Sequence, residues 1–326
     1  MTNQKVRRVV KRRKKKKRPI LKLIITVASL LLISGCIYSV YVVSSTWQAA
    51  NKTYDDLDRE RSKLRTEAVT VLDDPVSILI MGVEDYSTGG TSGRSDSLML
   101  ATFNPDDTSM NILSIPRDTR VELAEEGTME KINHAYAYGG KENTIETVEN
   151  FLDIPVDYYV TINFEAFKEI VDGVGGITVD VPFDFTEISD DGMEILKFSE
   201  GAMKLDGREA LAYARMRKQD PLQDIGRIER QKQVVMAVVD KLTSVNTLLR
   251  IDKIAGAVGD NVETNLKVSD AIGFYQKYSN FNSSNIETLT LEGQPNNTDY
   301  HLDYYIANEE ALEELKKELK SHLGQY

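Results

Sequence analysis

Arginine and aspartate recur together at the ends of the segments that read as strands and helices, and this is where the sequence suggests chemistry. Arg94 and Asp96 precede one apolar run, Arg117 and Asp118 close another in SIPRDTR, and Arg215 and Arg217 follow ALAYA. In extended chain, Arg215 and Arg217 point to the same side. Asp224, Arg227 and Arg230 stand three apart in DIGRIERQ, one face of a helical turn. A guanidinium is a rigid fork of donors that matches phosphate oxygens bidentately. Several of them in one cleft repel each other unless an anion, or a metal–phosphate pair, lies between them. Asp85 and Asp96 flank a glycine-rich loop, and paired carboxylates beside phosphates are a common way of holding magnesium. An isolated Arg–Asp pair is ordinarily a salt bridge; the repetition of the pair at segment ends favours an anionic, phosphate-bearing ligand.

Other enzyme signatures are missing: the sequence has no GxSxG elbow, no HExxH and no Walker A lysine loop. GGTSGRSD, residues 89–96, joins two predicted strands rather than a strand to a helix, so it is not read as a phosphate loop. His134, His301 and His322 are too scattered to form a metal set, and the single Cys36 excludes an intramolecular disulfide.

The elements that must carry the arginines are legible in outline. VSILIMGV from Val76 is a continuous apolar run, as expected of a strand buried on both faces. SLMLATFN and SMNILSIP follow as strands around the turn Asn104–Asp107. KENTIETVENFLD is helical, with Ile145, Val148 and Leu152 on one face. DYYVTINF reads as a strand, EAFKEIVDGVGG as a helix closed by glycines, and ITVDVPFDF as an alternating strand. LDGREALAYAR and IERQKQVVMAVVDKLTS read as helices. From about residue 246 more helices and one strand, IETLTLEG, are expected. This alternation predicts an α/β fold, an α-β-α sandwich with a mostly buried central mixed sheet, over residues 76–326.

The 326 residues are 41% hydrophobic and 28% charged, enough to bury a core, but the net charge of -11 hides an asymmetry. Residues 1–18 hold eleven Lys or Arg, and the first carboxylate is Asp55; the remainder has 29 basic against 51 acidic residues. So acidic a body is a poor partner for nucleic acid, and none is expected. Ile20 to Trp47 contains one charge, Lys22, and is about the 20 residues a membrane-crossing helix needs. The preceding basic block predicts a basic cytoplasmic tail over 1–19, a transmembrane anchor over 20–46 and an extracytoplasmic body. Ile33–Cys36 also fits a lipoprotein signal, but the apolar run continues past Cys36, which favours the uncleaved anchor. Residues 48–72, rich in helix formers and without Gly or Pro, predict a solvated helical stalk within a connecting segment, 47–75.

GVEDY…GRSDSLMLATFNP, NILSIPRDTRVEL, KINHAYAYGG, GVGGITVDVPFDF and LDGREALAYARMRK…DIGRIERQKQ, in that order, resemble the LytR-CpsA-Psr family over about residues 76–245. The resemblance is greatest to members that ligate wall teichoic acid in Gram-positive bacteria. It implies a hydrophobic tunnel for a polyprenyl chain with a pyrophosphate clamp at its mouth. It also implies transfer of an anionic glycopolymer from polyprenyl pyrophosphate to the 6-hydroxyl of N-acetylmuramic acid in peptidoglycan, at the membrane. By the same resemblance Asp85 and Asp96 hold magnesium or manganese, and Arg117, Lys131, Arg215, Arg217 and Arg227 bind the pyrophosphate. Where many members have glycine, an apolar residue and aspartate, this chain has Glu84 before Asp85, so either acid is a candidate ligand. Catalysis is expected from Arg117, Asp118, Asp224 and Arg227, with Asp118 or Asp224 either taking the proton or bracing an arginine. Water in place of the sugar would make the chain a polyprenyl-pyrophosphate phosphatase. Binding without turnover would make it a surface scaffold. A transcriptional attenuator is disfavoured by the expected location and the lack of a recognition helix.

Overall fold

The apolar run at Val76 forms β1 (Val76–Val83), buried along nearly its whole length at the centre of the sheet. The computed structural model describes residues 53–57, 59–83, 93–242, 261–278, 281–296 and 303–325, all within one unit of the chain, Ser45–Tyr326. The tail and anchor expected over 1–46, together with Glu84, Asp85 and His301, lie outside the described residues. Among the described residues no helix is long and apolar enough to cross a membrane.

After β1 come β2 (Ser95–Asn104), β3 (Ser109–Ser114), the short pair β4 (Arg120–Glu122) and β5 (Met129–Lys131), and α1 (His134–Leu152), which breaks at Gly139–Gly140. Then follow β6 (Tyr158–Asn163), α2 (Phe164–Gly173), β7 (Ile177–Val181), β8 (Phe185–Ile188), β9 (Ile195–Phe198) and β10 (Gly201–Leu205). Helices α3 (Gly207–Arg215) and α4 (Asp224–Leu242) precede β11 (Val262–Thr264) and α5 (Val268–Lys277). The chain closes with β12 (Ile286–Thr290), the hairpin β13 (Gly293–Asn296) and β14 (Tyr304–Ala307), and α6 (Glu309–His322).

The main sheet runs β11–β6–β1–β2–β3–β12; β1/β6 and β3/β12 are parallel and the other pairs antiparallel. Two-residue periodicity divides its side chains between two cores. Leu79, Met81, Leu98, Leu100, Leu113 and Ile115 pack with Ile145, Val148 and Leu152 of α1 and Leu315 and Leu319 of α6. Met99, Ala101, Met110 and Ile112 face the other way, with Val235 and Val239 of α4, Phe274 of α5, Tyr278 and Phe281. The chain is a mixed α/β protein built on a central mixed sheet.

A third core, from α2, α3, α4 and β7–β10, keeps α3 from lying flat on the main sheet. Helix α3 packs on α2 and α4, and α4 packs on β7. Its start is fixed by a capping box, Asp206 accepting from Glu209 N at 2.9 Å and Glu209 from Asp206 N at 3.0 Å. Gly207 permits the close crossing, since a Cβ there would meet the Lys168 carbonyl at 2.1 Å. Helix α2 ends on Gly175 and Gly176, at φ 88° and 84°, as its glycines predict.

Three expectations are corrected. From Tyr54 onward the described part of the expected helical stalk is bridge, turn and irregular chain. Its arginines are held by the body: Arg59 pairs with buried Glu149 at 2.9 Å and donates to Val156 O at 2.7 Å, and Arg65 pairs with Asp157 at 2.6 Å. With Leu57 and Val71 also buried, packing outweighs helix propensity and the segment is part of the fold rather than a solvated spacer. ITVDVPFDF divides at Pro182 into β7 and β8, which belong to different small sheets. Among the described residues the C-terminal third holds four strands, β11–β14, where one was expected; three of them have only three or four residues, too short for a clear alternation.

At the end of α6, half-buried against the sheet, His322 has Nδ1 2.7 Å from Thr102 Oγ1 and Nε2 2.8 Å from Ser109 Oγ. Burial pushes the imidazole pKa down, against the opposing pull of Asp107 and Glu287. The fold therefore holds His322 neutral, and its contribution is complete above the unfolded value of about 6.5 and lost as pH falls through the lower folded value. The urea midpoint is expected to drop between pH 7 and 5, and His322→Gln is expected to flatten that slope. His134, shifted in the same direction by burial, supplies a remainder.

Candidate functional site

β3 delivers the first arginine. Past Ser114 the chain turns at Pro116–Thr119, where Thr119 N donates to Pro116 O at 2.9 Å. The turn is pinned from outside, Asn133 N donating to Arg117 O at 3.2 Å and Tyr305 N to Asp118 O at 2.8 Å. Arg117 Nη1 donates to Asp96 Oδ1 at 2.7 Å, and its Nε stands 3.8 Å from Asp118 Oδ2. Asp118 Oδ1 accepts from Lys131 Nζ at 2.7 Å.

The second group comes from the α3–α4 connection. Arg215 ends α3 rather than lying in extended chain, and its guanidinium stands 4.8 Å over the Phe164 ring. Asp224, opening α4, pairs Oδ2 with Arg217 Nη2 at 2.6 Å and Oδ1 with Arg227 Nη2 at 2.7 Å. Arg230 departs from the expected face: buried, it donates to Tyr213 O at 3.1 Å and also bonds Asp220 and Met216 O. It fixes the loop that carries Arg217. Exposed Arg94 joins neither group.

Where α3 stands off the sheet, an apolar cavity of about 360 Å³ opens between Ile80, Met99 and Ile162 below and Phe167, Leu211 and Val234 above. Its rim carries Asp96, Arg117, Arg215 and Arg227. Two grooves leave the same rim, one mainly polar and one mainly apolar with a charged edge, and Arg227 lines both of them as well as the cavity. Burial pushes the pKa of Arg227 down, and Arg117 and Arg217 add to that against Asp224 and Asp96. Burial acts on Arg117 in the same sense, but bonding to Asp96 and the charges of Asp96, Asp118 and Asp224 outweigh it, and its pKa rises. Arg117 Nε and Arg227 Nε are buried donors without a hydrogen-bond acceptor, an arrangement that costs about 1–3 kcal/mol per group until one arrives, and Asp224 Oδ1, in ion-pair contact with Arg227, accepts no hydrogen bond. The rim is thus built for an anion carrying an apolar tail.

The fold brings Asp96, Arg117, Asp118, Arg215, Arg217, Asp224 and Arg227 to this rim, with Lys131 joined through Asp118. Asp85 lies outside the described residues, and among those described no group of three or more His, Cys, Asp or Glu could hold a metal. Asp96 still suits a hard cation: only Oδ1 is taken, by Arg117, and Oδ2 has no partner among the described residues. Sequence reasoning missed Gln231, 3.4 Å from Ser97 Oγ on the cavity wall, although its position one turn past Arg227 marked the face. It also missed Tyr304 and Tyr305, for which no local signal exists.

The model of the LytR_cpsA_psr family matches residues 40–321. The chain belongs to the LytR-CpsA-Psr family. Among similar members, the polyisoprenyl-teichoic acid–peptidoglycan teichoic acid transferase TagV of Bacillus subtilis is 51% identical over 269 residues, 80% of this chain and 69% of that protein. The crystal structure of B. subtilis TagV superposes with a TM-score of 0.71 at 47% identity, covering 78% of this chain and 99% of the other. A second LytR-CpsA-Psr structure, YwtF (TagT) with bound octaprenyl pyrophosphate lipid, superposes with a TM-score of 0.64 at 32% identity, covering 82% and 97%.

Proposed function

We propose that this chain transfers an anionic glycopolymer of the teichoic acid type from a polyprenyl-pyrophosphate carrier to the 6-hydroxyl of N-acetylmuramic acid in peptidoglycan. The carrying observation is the junction of an apolar cavity with a rim of arginines in which two buried guanidinium donors lack acceptors. A prenyl chain fits the first and a pyrophosphate the second. The name of TagV and the octaprenyl pyrophosphate in YwtF support the same reading. The chain is anchored by residues 20–46 in the cell membrane, with residues 1–19 cytoplasmic and the catalytic body of 76–326 outside, where both substrates are found.

In the reaction the muramoyl oxygen bonds to the glycan-side phosphorus. The bond from that phosphorus to the bridging oxygen breaks, and polyprenyl phosphate leaves with the electron pair. Arg117, Arg215, Arg217 and Arg227 neutralise the charge that grows on the leaving phosphate, with Lys131 supporting Asp118. Asp118 takes the hydroxyl proton. Both oxygens of Asp224 stand within 2.7 Å of an arginine nitrogen, whereas Asp118 Oδ2 is 3.8 Å from Arg117 Nε. Asp224 is therefore the brace. Asp96 and one acid of the Glu84–Asp85 pair would hold magnesium or manganese, which supplies further neutralisation of the pyrophosphate.

The full chain in detergent, given a polyprenyl-pyrophosphate-linked glycan, peptidoglycan oligomers and magnesium, is expected to attach polymer covalently to muramic acid. Asp96→Ala is expected to lower the rate about 10²-fold or more and to weaken its dependence on magnesium. Release of free glycan phosphate without attachment would make the chain a phosphatase. Tight lipid binding without product would make it a scaffold.

A further inference from the structure

The two grooves that meet at Arg227 differ in charge and polarity. The first, about 650 Å³, lies beside β8 and the turn after it; among the described residues it is lined by Arg215, Arg217, Lys218 and Arg227 with Glu187 and Asp190, and Asp190 is already paired with Lys168. The second, about 580 Å³, runs past Arg117 and Asp118 to the β13–β14 hairpin. There Arg117, Arg217, Arg227 and Lys232 are balanced by Asp118, Asp224, Glu229 and Asp303. Both candidate proton acceptors line the second groove and neither lines the first.

Taking the transfer reading above as given, we propose that the first groove receives the anionic polymer of the donor and the second, walled by the β13–β14 hairpin, receives the sugar strand of the acceptor. A polymer of phosphates needs uncompensated cations; Arg217 and Arg227 share Asp224, which leaves Arg215 and Lys218 as the cations of the first groove without a carboxylate partner among the described residues. An attacking hydroxyl needs its proton acceptor within hydrogen-bond reach, which only the second groove provides. That groove also suits an uncharged sugar. Tyr304 donates to Glu130 at 2.9 Å and Tyr305 to Leu291 O at 2.8 Å, so the two rings are fixed walls with their hydroxyls already engaged. Thr290, Gly293, Pro295, Asn296 and Tyr305 are shared with a further cleft of about 780 Å³ along the same hairpin. The second groove thus continues outward, as a chain of several sugars requires. The hairpin belongs to the C-terminal third and gives that region a role in acceptor choice.

The test uses the full chain in detergent, a polyprenyl-pyrophosphate-linked glycan bearing poly(glycerol phosphate), and uncrosslinked peptidoglycan oligomers. Pro295 is exposed on β13, and Pro295→Trp is expected to raise the acceptor KM about tenfold while donor Kd stays within about twofold. Gln294→Trp, exposed one residue earlier beside the outer cleft, is expected to do the same more weakly with long oligomers. Lys218→Glu is expected to raise donor Kd about tenfold, with a shallower salt dependence, and to leave acceptor KM within about twofold. The reverse pattern, tryptophans weakening the donor and Lys218→Glu acting only on the acceptor, would overturn the assignment while transfer itself stood. Wild-type protein that releases polymer to water and attaches none would end the transfer reading, and this proposal with it.

Discussion

Arg227→Ala is expected to lower the rate of polymer transfer about 10²–10³-fold, the scale seen when one preorganised donor to a developing oxyanion is removed. Arg227 is the side chain common to the apolar cavity and both grooves, so no neighbour replaces it. It is held ready: Asp224 Oδ1 stands 2.7 Å from one end of the guanidinium as its ion-pair partner, while Nε is a buried donor with no acceptor. Crowding by Arg117 and Arg217 raises the free energy of the ligand-free site, and a pyrophosphate relieves it. Arg227→Lys is expected to restore only part of the rate, because a point charge lacks the planar fork. Single-turnover transfer and donor Kd, measured separately, check the claim. A loss confined to Kd would place Arg227 in ground-state binding, and an unchanged rate would remove it from the clamp.

The second large effect is on stability. Arg230→Ala is expected to cost about 3–5 kcal/mol, the usual result of leaving one buried partner of an ion pair unmatched. Arg230 is 1% exposed and Asp220 6% exposed, and the guanidinium also caps the carbonyls of Tyr213 and Met216, so three acceptors lose their donor at once. The site cannot collapse around the loss, because Gly226 already lies against Asp220; a Cβ there would meet Oδ2 at 1.8 Å. Arg230→Met combined with Asp220→Leu is expected to recover most of the stability, since desolvation offsets much of a buried pair's attraction. Urea midpoints of the two single variants and the double variant form the cycle that checks this. Additive losses would mean that the two residues act independently. The pair also braces the loop bearing Arg217, so the double variant is expected to bind donor more weakly even when stable.

These two arginines show where reading the sequence stops. Both lie in DIGRIERQ at helical spacing, and the spacing assigns them to one face. Yet the helix turns Arg227 to the cavity rim and Arg230 into the third core. Three residues on an α-helix are displaced by about 60° from a full turn, and whether that separates rim from core depends on what α4 packs against. The stalk shows the same limit: its helix-forming composition was legible, but Glu149 and Asp157, ninety or so residues away, were not recognisable as its partners.

By itself the sequence determined the order and type of the long elements, because apolar periodicity and turn chemistry act over a few residues. It also determined the inventory of arginines and aspartates and, through the blocks they sit in, the family. Only the tertiary structure decided which of them meet. The standing-off of α3 that opens the cavity, the separation of a charge-balanced groove from a positive one, and the arrival of Tyr304 and Tyr305 beside Asp118 all arise from contacts between distant segments. Such contacts leave no local period in the chain, since each is set by the shape and packing of the elements on both sides.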